Sequence, residues 1–570
     1  MTPSLHQWAA EQLAALQVPV TRLVTDSRSI QSGDTFVAYP GEKSDGRQFI
    51  APAISQGANA VIYEKRVSGH PWEAQHFVWN EAWQVPNLAM ADLRHKAGWL
   101  ADAVYGAPSE KLWVVGITGT NGKTSTSHWI AHALNEAGRK CALIGTLGNG
   151  FIDALQASAN TTPDAIRVHG LLADYLSDGA QAVAMEVSSH ALTQGRVNGM
   201  RFDVAMLTNL SHDHLDYHGD MQNYAAAKRK LFDWQQLEYA VLNLDDEFGT
   251  EMAENLRDGF PSIPYPQSSP ASGRGSEREM KYSIPEVIGY GLRPLSKSPS
   301  LRSPLAQAGE KANEKSANPS SDTALQLAER MGLRMVYGNV LEMSGQGLRL
   351  AIHSSWGTAE LNSTLVGRFN ASNLLAALAV LLVSGISLKD AVRSLGEVQP
   401  VAGRMQRLGN AQQPTVIVDY AHTPDALEKV LQALREISAA AGGKVLCVFG
   451  CGGDRDRGKR AMMGLVAEKF SDYCIVTSDN PRNENPREII AEIVSGMNES
   501  NHEIIVDRAA AIHCAIEQAQ QGDTVLIAGK GHEDYQEIGG VKHPFNDVTV
   551  AQQALQTRHA RPQNKSRGRQ

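Results

Sequence analysis

A chain of 570 residues exceeds what one hydrophobic core organises and implies about three domains. Its formal charge of −8, from 53 Lys and Arg against 61 Asp and Glu, disfavours a nucleic-acid partner, so any phosphate binding must be local. The five cysteines (Cys141, Cys447, Cys451, Cys474 and Cys514) form no Cys-x-x-Cys pair, which argues against a zinc site or disulfide framework and for buried thiols in a reducing compartment.

Residues 1–107 read as a smaller α/β unit, with helices near 5–16 and 87–104, strands near 34–39 and 60–63, and polar turns at 25–28 and 41–47. The N-terminus lacks a basic segment ahead of its apolar positions, and the longest apolar run, 374–383, is too short to span a bilayer, so a cytoplasmic protein without a membrane span is expected. Gly106-Ala107-Pro108 breaks the chain.

In residues 108–397, strands at 113–117, 141–145, 182–187, 204–210 and 239–243 alternate with helices, which predicts a parallel sheet of P-loop ATPase type with ligands beyond its strand C-termini. Two Ser-, Pro- and Gly-rich insertions, 261–280 and 293–322, read as flexible, with a returning strand at 287–291 between them. Residues 398–570 repeat the alternation as a Rossmann-like unit, with strands at 415–418, 444–449, 473–477 and 524–528, and a basic tail from Gln556 that reads as frayed. The fold class is therefore α/β in three domains.

The stretch 114–126, VVGITGTNGKTST, has the strand, glycine turn and helix order in which backbone N–H groups and a lysine cradle phosphates while a Thr hydroxyl faces Mg²⁺. It reads as an ATP site made by Thr118, Gly119, Thr120, Asn121, Gly122, Lys123 and Thr124, although Ile117 stands where the generic motif has Gly. Glu186 closes the apolar run 182–185, and reads equally as a magnesium ligand beside Thr124 or as a helix-cap carboxylate. Three histidines within seven positions (His212, His214 and His218) suggest a metal. By composition, 224–232 reads as a solvated basic face.

Eight motifs together resemble the Mur ligases, in family order and across all three units: GTNGKT at 119–124, NTTPD at 160–164, EVSSHAL at 186–192, DHLDYHG at 213–219, DYAHTPDAL at 419–427, GGDRDRGKR at 452–460, DNPR at 479–482 and GKGHEDYQ at 529–536. The resemblance is to the branch that adds the third residue of the peptidoglycan stem peptide. It implies a monomeric, ATP-dependent, ADP-forming amide ligase of peptidoglycan precursor synthesis. ATP would phosphorylate the D-glutamyl carboxylate of UDP-MurNAc-L-Ala-D-Glu, and the amino group of meso-diaminopimelate would displace the phosphate. Lys123 would hold the γ-phosphate, Thr124 and Glu186 one Mg²⁺, and His214 a second. Lys228 would be carbamylated by CO₂ and ligate Mg²⁺, against the bland reading of its helix.

The resemblance further assigns the UDP-substrate to Ser27, the 42–44 turn, Thr161, Thr162, Ser188, Gln194 and Arg196. It departs at His212, where the family usually has Arg. Diaminopimelate would fall to Arg455, Asp479, Asn480, Pro481, Arg482, Gly529 and Glu533. Diaminopimelate is lysine plus a carboxylate, which an Arg fork pairs well, and Glu533 suits an ammonium. The alternatives are a lysine-adding or folylpolyglutamate-type ligase of the same architecture, or a non-ligase ATPase.

Overall fold

The computed structural model describes residues 5–42, 44–65, 77–257, 284–292, 324–410, 412–498 and 501–560. Both predicted insertions, 261–280 and 293–322, lie outside the described residues, as do Lys43 and residues 561–570. Three sheets succeed one another along the chain. The first is parallel, with strands β1 (Leu23–Val24), β2 (Thr35–Ala38), β3 (Ala60–Glu64) and β4 (Asn87–Met90) in sequence order. The predicted helix over 87–104 divides into β4 and the helix Leu93–Tyr105, because Asp92 takes a left-handed backbone (φ 58°) between them.

The central sheet contains β5 (Trp113–Thr118), β6 (Cys141–Gly145), β7 (Gly148–Phe151), β8 (Ala182–Glu186), β9 (Val204–Leu207), β10 (Tyr239–Asn243), β11 (Glu286–Leu292), β12 (Arg334–Ser344), β13 (Gly347–Ser354) and β14 (Gly357–Ser363). Their order is β14-β13-β12-β11-β10-β9-β5-β8-β6-β7. Pairing is parallel from β12 through to β6, and antiparallel at β7 on one edge and at β13 and β14 on the other. The sheet is thus mixed at its margins around the predicted parallel core. Runs such as Val114–Val115 and Ala182–Met185 are buried because helices cover both faces, which is why they read as continuous rather than alternating apolar segments. The helix Arg368–Val383 lies against one face with nearly its whole circumference buried, so the longest apolar run of the chain is a core helix. Among the described residues no helix is long and apolar enough to cross a membrane.

The third sheet comprises β15 (Gln406–Leu408), β16 (Thr415–Asp419), β17 (Val445–Phe449), β18 (Tyr473–Val476), β19 (His502–Ile504) and β20 (Thr524–Ala528), in the order β15-β16-β20-β17-β18-β19 with only β15 antiparallel. A hairpin of β21 (Tyr535–Ile538) and β22 (Val541–Pro544) follows. Of the tail expected to be frayed, residues 556–560 belong to the helix Asp547–Ala560, whose Ala551, Ala554 and Leu555 are buried against the sheet, and the remainder lies outside the described residues.

Candidate active site

The loops that leave β5, β8 and β9 meet at one edge of the central sheet. The helix Lys123–Glu136 starts directly after Gly122, which has φ 90°, a conformation that favours glycine. A Cβ on Gly119 would lie 1.8 Å from Thr208 Oγ1, so the backbone passes where no side chain fits. Ile117 is fully buried within β5, so the loop proper begins later, at Gly119; this accounts for the missing glycine of the generic motif. Asn209 braces the loop by accepting from Thr120 N at 2.9 Å and, through Oδ1, from Asn121 N at 3.0 Å.

Lys123 Nζ donates to Gly119 O (2.8 Å) and Thr120 O (2.9 Å), and Lys228 Nζ donates to the same Gly119 O at 2.8 Å. Two amines thus share one acceptor, and Lys228 is 2% exposed rather than part of a solvated face. Burial, and then the neighbouring Lys123 charge, push the Lys228 amine well below the ordinary lysine range. Burial also lowers Lys123. Tyr224, one turn before Lys228 on the helix Met221–Arg229, presents its ring 4.3 Å from the Lys228 amine.

Glu186, at the end of β8, is fully buried. Its carboxylate accepts from Thr124 Oγ1 (3.0 Å), Thr146 N (2.8 Å) and Thr146 Oγ1 (3.0 Å), all neutral donors, and among the described residues no cation stands within 4.0 Å of it. It caps no helix; the short helix Ser189–Thr193 is capped by Ser188 Oγ accepting from Ala191 N. A buried carboxylate with only neutral partners, beside a threonine hydroxyl, suits a divalent cation.

Of the three histidines that suggested a metal, His212 turns away toward the third unit, while the rings of His214 and His218 both pack beside His190 and Tyr224. His212 Nε2 pairs with Asp456 Oδ2 (2.8 Å), His218 Nε2 with Ser189 Oγ (3.0 Å), and His214 lies 3.3 Å from Asp213 Oδ2 with its ring 4.9 Å from that of His190. Among the described residues no three His, Cys, Asp or Glu side chains are gathered as a metal site. Burial pushes the His214 imidazole down to about 3, so it is neutral at pH 7 and retains a lone pair.

Five of the residues assigned to the UDP-substrate form one connected group. Thr162 Oγ1 donates to Glu186 O (2.8 Å) and accepts from Ser188 N (3.1 Å). Arg196 donates to Thr162 O and to Gln194 Oε1, each at 2.8 Å, and Thr161 Oγ1 lies 3.1 Å from Thr146 Oγ1. Gln194 Nε2 reaches Glu42 of the first unit. Ser27, in a short 3₁₀ turn, is not joined to this group by any hydrogen bond among the described residues. A cavity of about 230 Å³ adjoins the group, lined in part by Asn149, Gln156, Asn160, Asp164 and Arg167.

The third unit folds its strand-end loops over the phosphate loop. Arg404 Nη2 donates to Thr124 Oγ1 (3.2 Å), Asn121 Nδ2 to Asp425 Oδ2 (3.0 Å), and Lys459 Nζ stands 3.5 Å from the buried Asp213 carboxylate. Deeper in that unit the loop after β18 meets the loop after β20. Asn480 Nδ2 donates to Glu533 Oε2 (2.8 Å), and a Cβ on Gly529 would lie 2.6 Å from Asp479 Oδ2. Arg482 has a left-handed backbone (φ 52°); its Nη1 donates to Gly453 O (2.7 Å) and its Nε faces Glu537 Oε2 at 3.4 Å. Pro481 closes against Gly453, and Arg455 is exposed at the rim, donating to Asp454 O at 3.0 Å. The assigned amino-acid residues therefore surround one place, with Arg455 peripheral.

Three Mur ligase family descriptions match the chain in succession: "Mur ligase family, catalytic domain" over residues 19–105, "Mur ligase middle domain" over 117–282, and "Mur ligase, glutamate ligase domain" over 403–531. The UDP-N-acetylmuramoyl-L-alanyl-D-glutamate--2,6-diaminopimelate ligase of Chromobacterium violaceum is 46% identical over 564 residues, 98% of this chain and 99% of the relative. The chain belongs to the Mur ligase family. The Pseudomonas aeruginosa enzyme of the same name is 43% identical to this Mur ligase over 539 residues, 94% of this chain and 95% of the relative. A solved structure of a UDP-N-acetylmuramoyl-L-alanyl-D-glutamate--2,6-diaminopimelate ligase matches it with TM-score 0.58 and 33% identity, covering 95% of this chain and 96% of that one. The MurF ligase of Thermotoga maritima in complex with ADP shares the fold, with TM-score 0.57 and 16% identity over 95% of this chain and 98% of that one.

Several residues at the site of this Mur ligase carry no sequence signal of their own. Arg404 and Thr146 reach Thr124 and Glu186 respectively, from positions 280 and 40 residues away. Asp425, which accepts from Asn121 Nδ2, and Lys459 stand inside the quoted motifs at 419–427 and 452–460, and Tyr224 opens the stretch 224–232 whose composition suggested a solvated basic face.

Proposed function

We propose that this ligase joins meso-2,6-diaminopimelate to the D-glutamyl carboxylate of UDP-N-acetylmuramoyl-L-alanyl-D-glutamate at the expense of ATP, through three units bounded near residues 107 and 397. The observation that carries the reading is the convergence of Lys123, Lys228, Thr124 and Glu186 around Gly119 and the end of β5, beneath the loops of the third unit. A carboxylate is a poor electrophile until one oxygen becomes a leaving group, so the γ-phosphoryl group of ATP passes to it and ADP departs. The amine then attacks the acyl carbon, the carbon–oxygen bond to phosphate breaks, and the amine loses a proton. Phosphoryl transfer of this kind relies on positioning and charge neutralisation.

Lys123 leaves the loop carbonyls it now contacts to bind the γ-phosphate. Thr124, Glu186 and His214 are the residues that would hold Mg²⁺, which when bound neutralises phosphate charge. Only an uncharged amine captures CO₂, and the lowered pKa of Lys228 supports its conversion to a carbamate: the nitrogen–carbon bond forms, the amine gives up a proton, and an anion results. Thr161, Thr162, Ser188, Gln194 and Arg196 receive the UDP-dipeptide together with the first unit. Asp479, Asn480, Pro481, Arg482, Gly529 and Glu533 receive the amino acid, Arg482 through the Nη2 that carries no hydrogen bond among the described residues. The test is mass analysis of the nucleotide product after incubation with ATP, Mg²⁺, the UDP-dipeptide and diaminopimelate. One added diaminopimelate per molecule, with one ADP, is the expected result; no mass gain contradicts it.

A further inference from the structure

Lys530 lies between two residues assigned to the amino-acid pocket, Gly529 and Glu533, and is fully buried. Its Nζ donates to Asn480 Oδ1 at 3.0 Å and to Glu533 Oε2 at 2.8 Å. The backbone N–H of Glu537 donates to the same Asn480 Oδ1 at 2.9 Å. Two donors converge on one side of the Asn480 amide, and an ammonium cannot accept a hydrogen bond, so that side must be the carbonyl oxygen. The amide nitrogen is thereby turned to Glu533 Oε2, 2.8 Å away, with one of its two hydrogens left without an acceptor among the described residues. Glu533 is ordered in the same way. Lys530 and Asn480 both address Oε2, and Oε1 has no hydrogen bond among the described residues.

We infer that Lys530 is a positioning residue that sorts the polarity of the amino-acid pocket: it fixes Asn480 as a donor toward a ligand carboxylate and leaves one oxygen of Glu533 open to a ligand ammonium. The inference rests on the assignment of the 479–482 and 529–533 loops to diaminopimelate. That molecule presents ammonium and carboxylate groups at both ends, so a pocket whose amide could turn over would bind it in competing poses. A buried ammonium is unfavourable unless paired and hydrogen-bonded, and here its pairing is with the two side chains whose orientation decides which ligand group is met. Packing alone requires no charge at this position.

The test compares Lys530→Met with the native full-length enzyme, measuring separate KM values for diaminopimelate, ATP and the UDP-dipeptide. The KM for diaminopimelate is expected to rise at least about tenfold, the scale of one charge-assisted hydrogen bond, while the other two stay within about twofold. An unchanged KM for diaminopimelate, or an equal rise in all three, overturns the inference. Asn480→Asp removes the amide donor while keeping an acceptor for Lys530, so it decides the matter if the methionine variant does not fold. It is expected to raise the same single KM, and an unchanged value overturns the inference. If the native enzyme shows no dependence on diaminopimelate, the pocket assignment itself fails; if it does and the variants match it, only the role of Lys530 fails.

Discussion

At Lys228 burial and chemistry act on a single nitrogen. An amine 2% exposed, bonded to a carbonyl that Lys123 also uses, is held toward its neutral form, which is the form that reacts with CO₂. Lys228→Ala is expected to lower kcat by at least about a hundredfold, on the scale of removing one group that organises transition-state charge, and added formate or acetate should restore part of it. A fully active Lys228→Ala enzyme, or an inactive one that no small carboxylate improves, would remove the carbamate from the account. Lys123, Thr124 and Glu186 were legible in the sequence because each ends or opens an element within a contiguous motif, where spacing along the chain equals position in space. Arg404 was not legible, and neither was the contact that Asp425 makes from within the motif 419–427, since both reach the phosphate loop only once the third unit closes on it. The burial of Lys228 was hidden for a related reason. Its helix is polar in composition, and Lys228 points inward toward Gly119 while Arg229, beside it, pairs with Glu251.

Among elements, strands buried on both faces were the most legible. Those at 141–145, 239–243 and 524–528 stand where they were expected, because a continuous apolar run bounded by polar loops admits few other structures in a strand–helix alternation. The antiparallel arms β13 and β14 were missed, although Leu348, Leu350 and Ile352 alternate with more exposed residues, the mark of a half-buried strand. β4 was read as helix because its pairing partner, β3, is supplied by the fold and not by its own sequence. Two tests belong at this scale. The helix Leu93–Tyr105 meets the 195–199 turn so closely that a Cβ on Gly98 would lie 1.9 Å from Asn198 O. Gly98→Ala is therefore expected to destabilise the protein by about 1–3 kcal/mol, seen as a lower thermal midpoint, and an unchanged midpoint contradicts that packing. The helices Gly458–Phe470 and Pro486–Val494 are joined by Arg460, which donates to Glu484 and Glu492. The hydrogen bond from Arg460 holds the Glu484 carboxyl below its ordinary range, so its contribution is present above the unfolded pKa of about 4.3 and is lost as pH falls through the lower folded value. Thermal midpoints measured downward from pH 6 should fall more steeply in the native protein than in Glu484→Gln; parallel curves would show that the pair contributes nothing.

Across the whole molecule, the first unit reaches the centre through Glu42 and Gln194, and the third through Arg404, Asp425, Lys459 and Asp456, the last accepting from His212 at the position where an Arg is usual in the family. The two sets of contacts approach the central sheet at the same edge, where β5, β8 and β9 end. An edge addressed from both sides suits a reaction in which a nucleotide sugar peptide, an amino acid and ATP must meet, and a bare nucleotide switch has no use for the polar side chains gathered at Asn480 and Glu533. The central claim is that phosphate is released only when an amine is present to take the activated carboxylate. The direct measurement is phosphate release by the purified enzyme with ATP, Mg²⁺ and UDP-N-acetylmuramoyl-L-alanyl-D-glutamate, comparing meso-diaminopimelate, lysine and no amino acid. The account predicts rapid release with diaminopimelate, much slower release with lysine and little without either. Equal release in all three would contradict it.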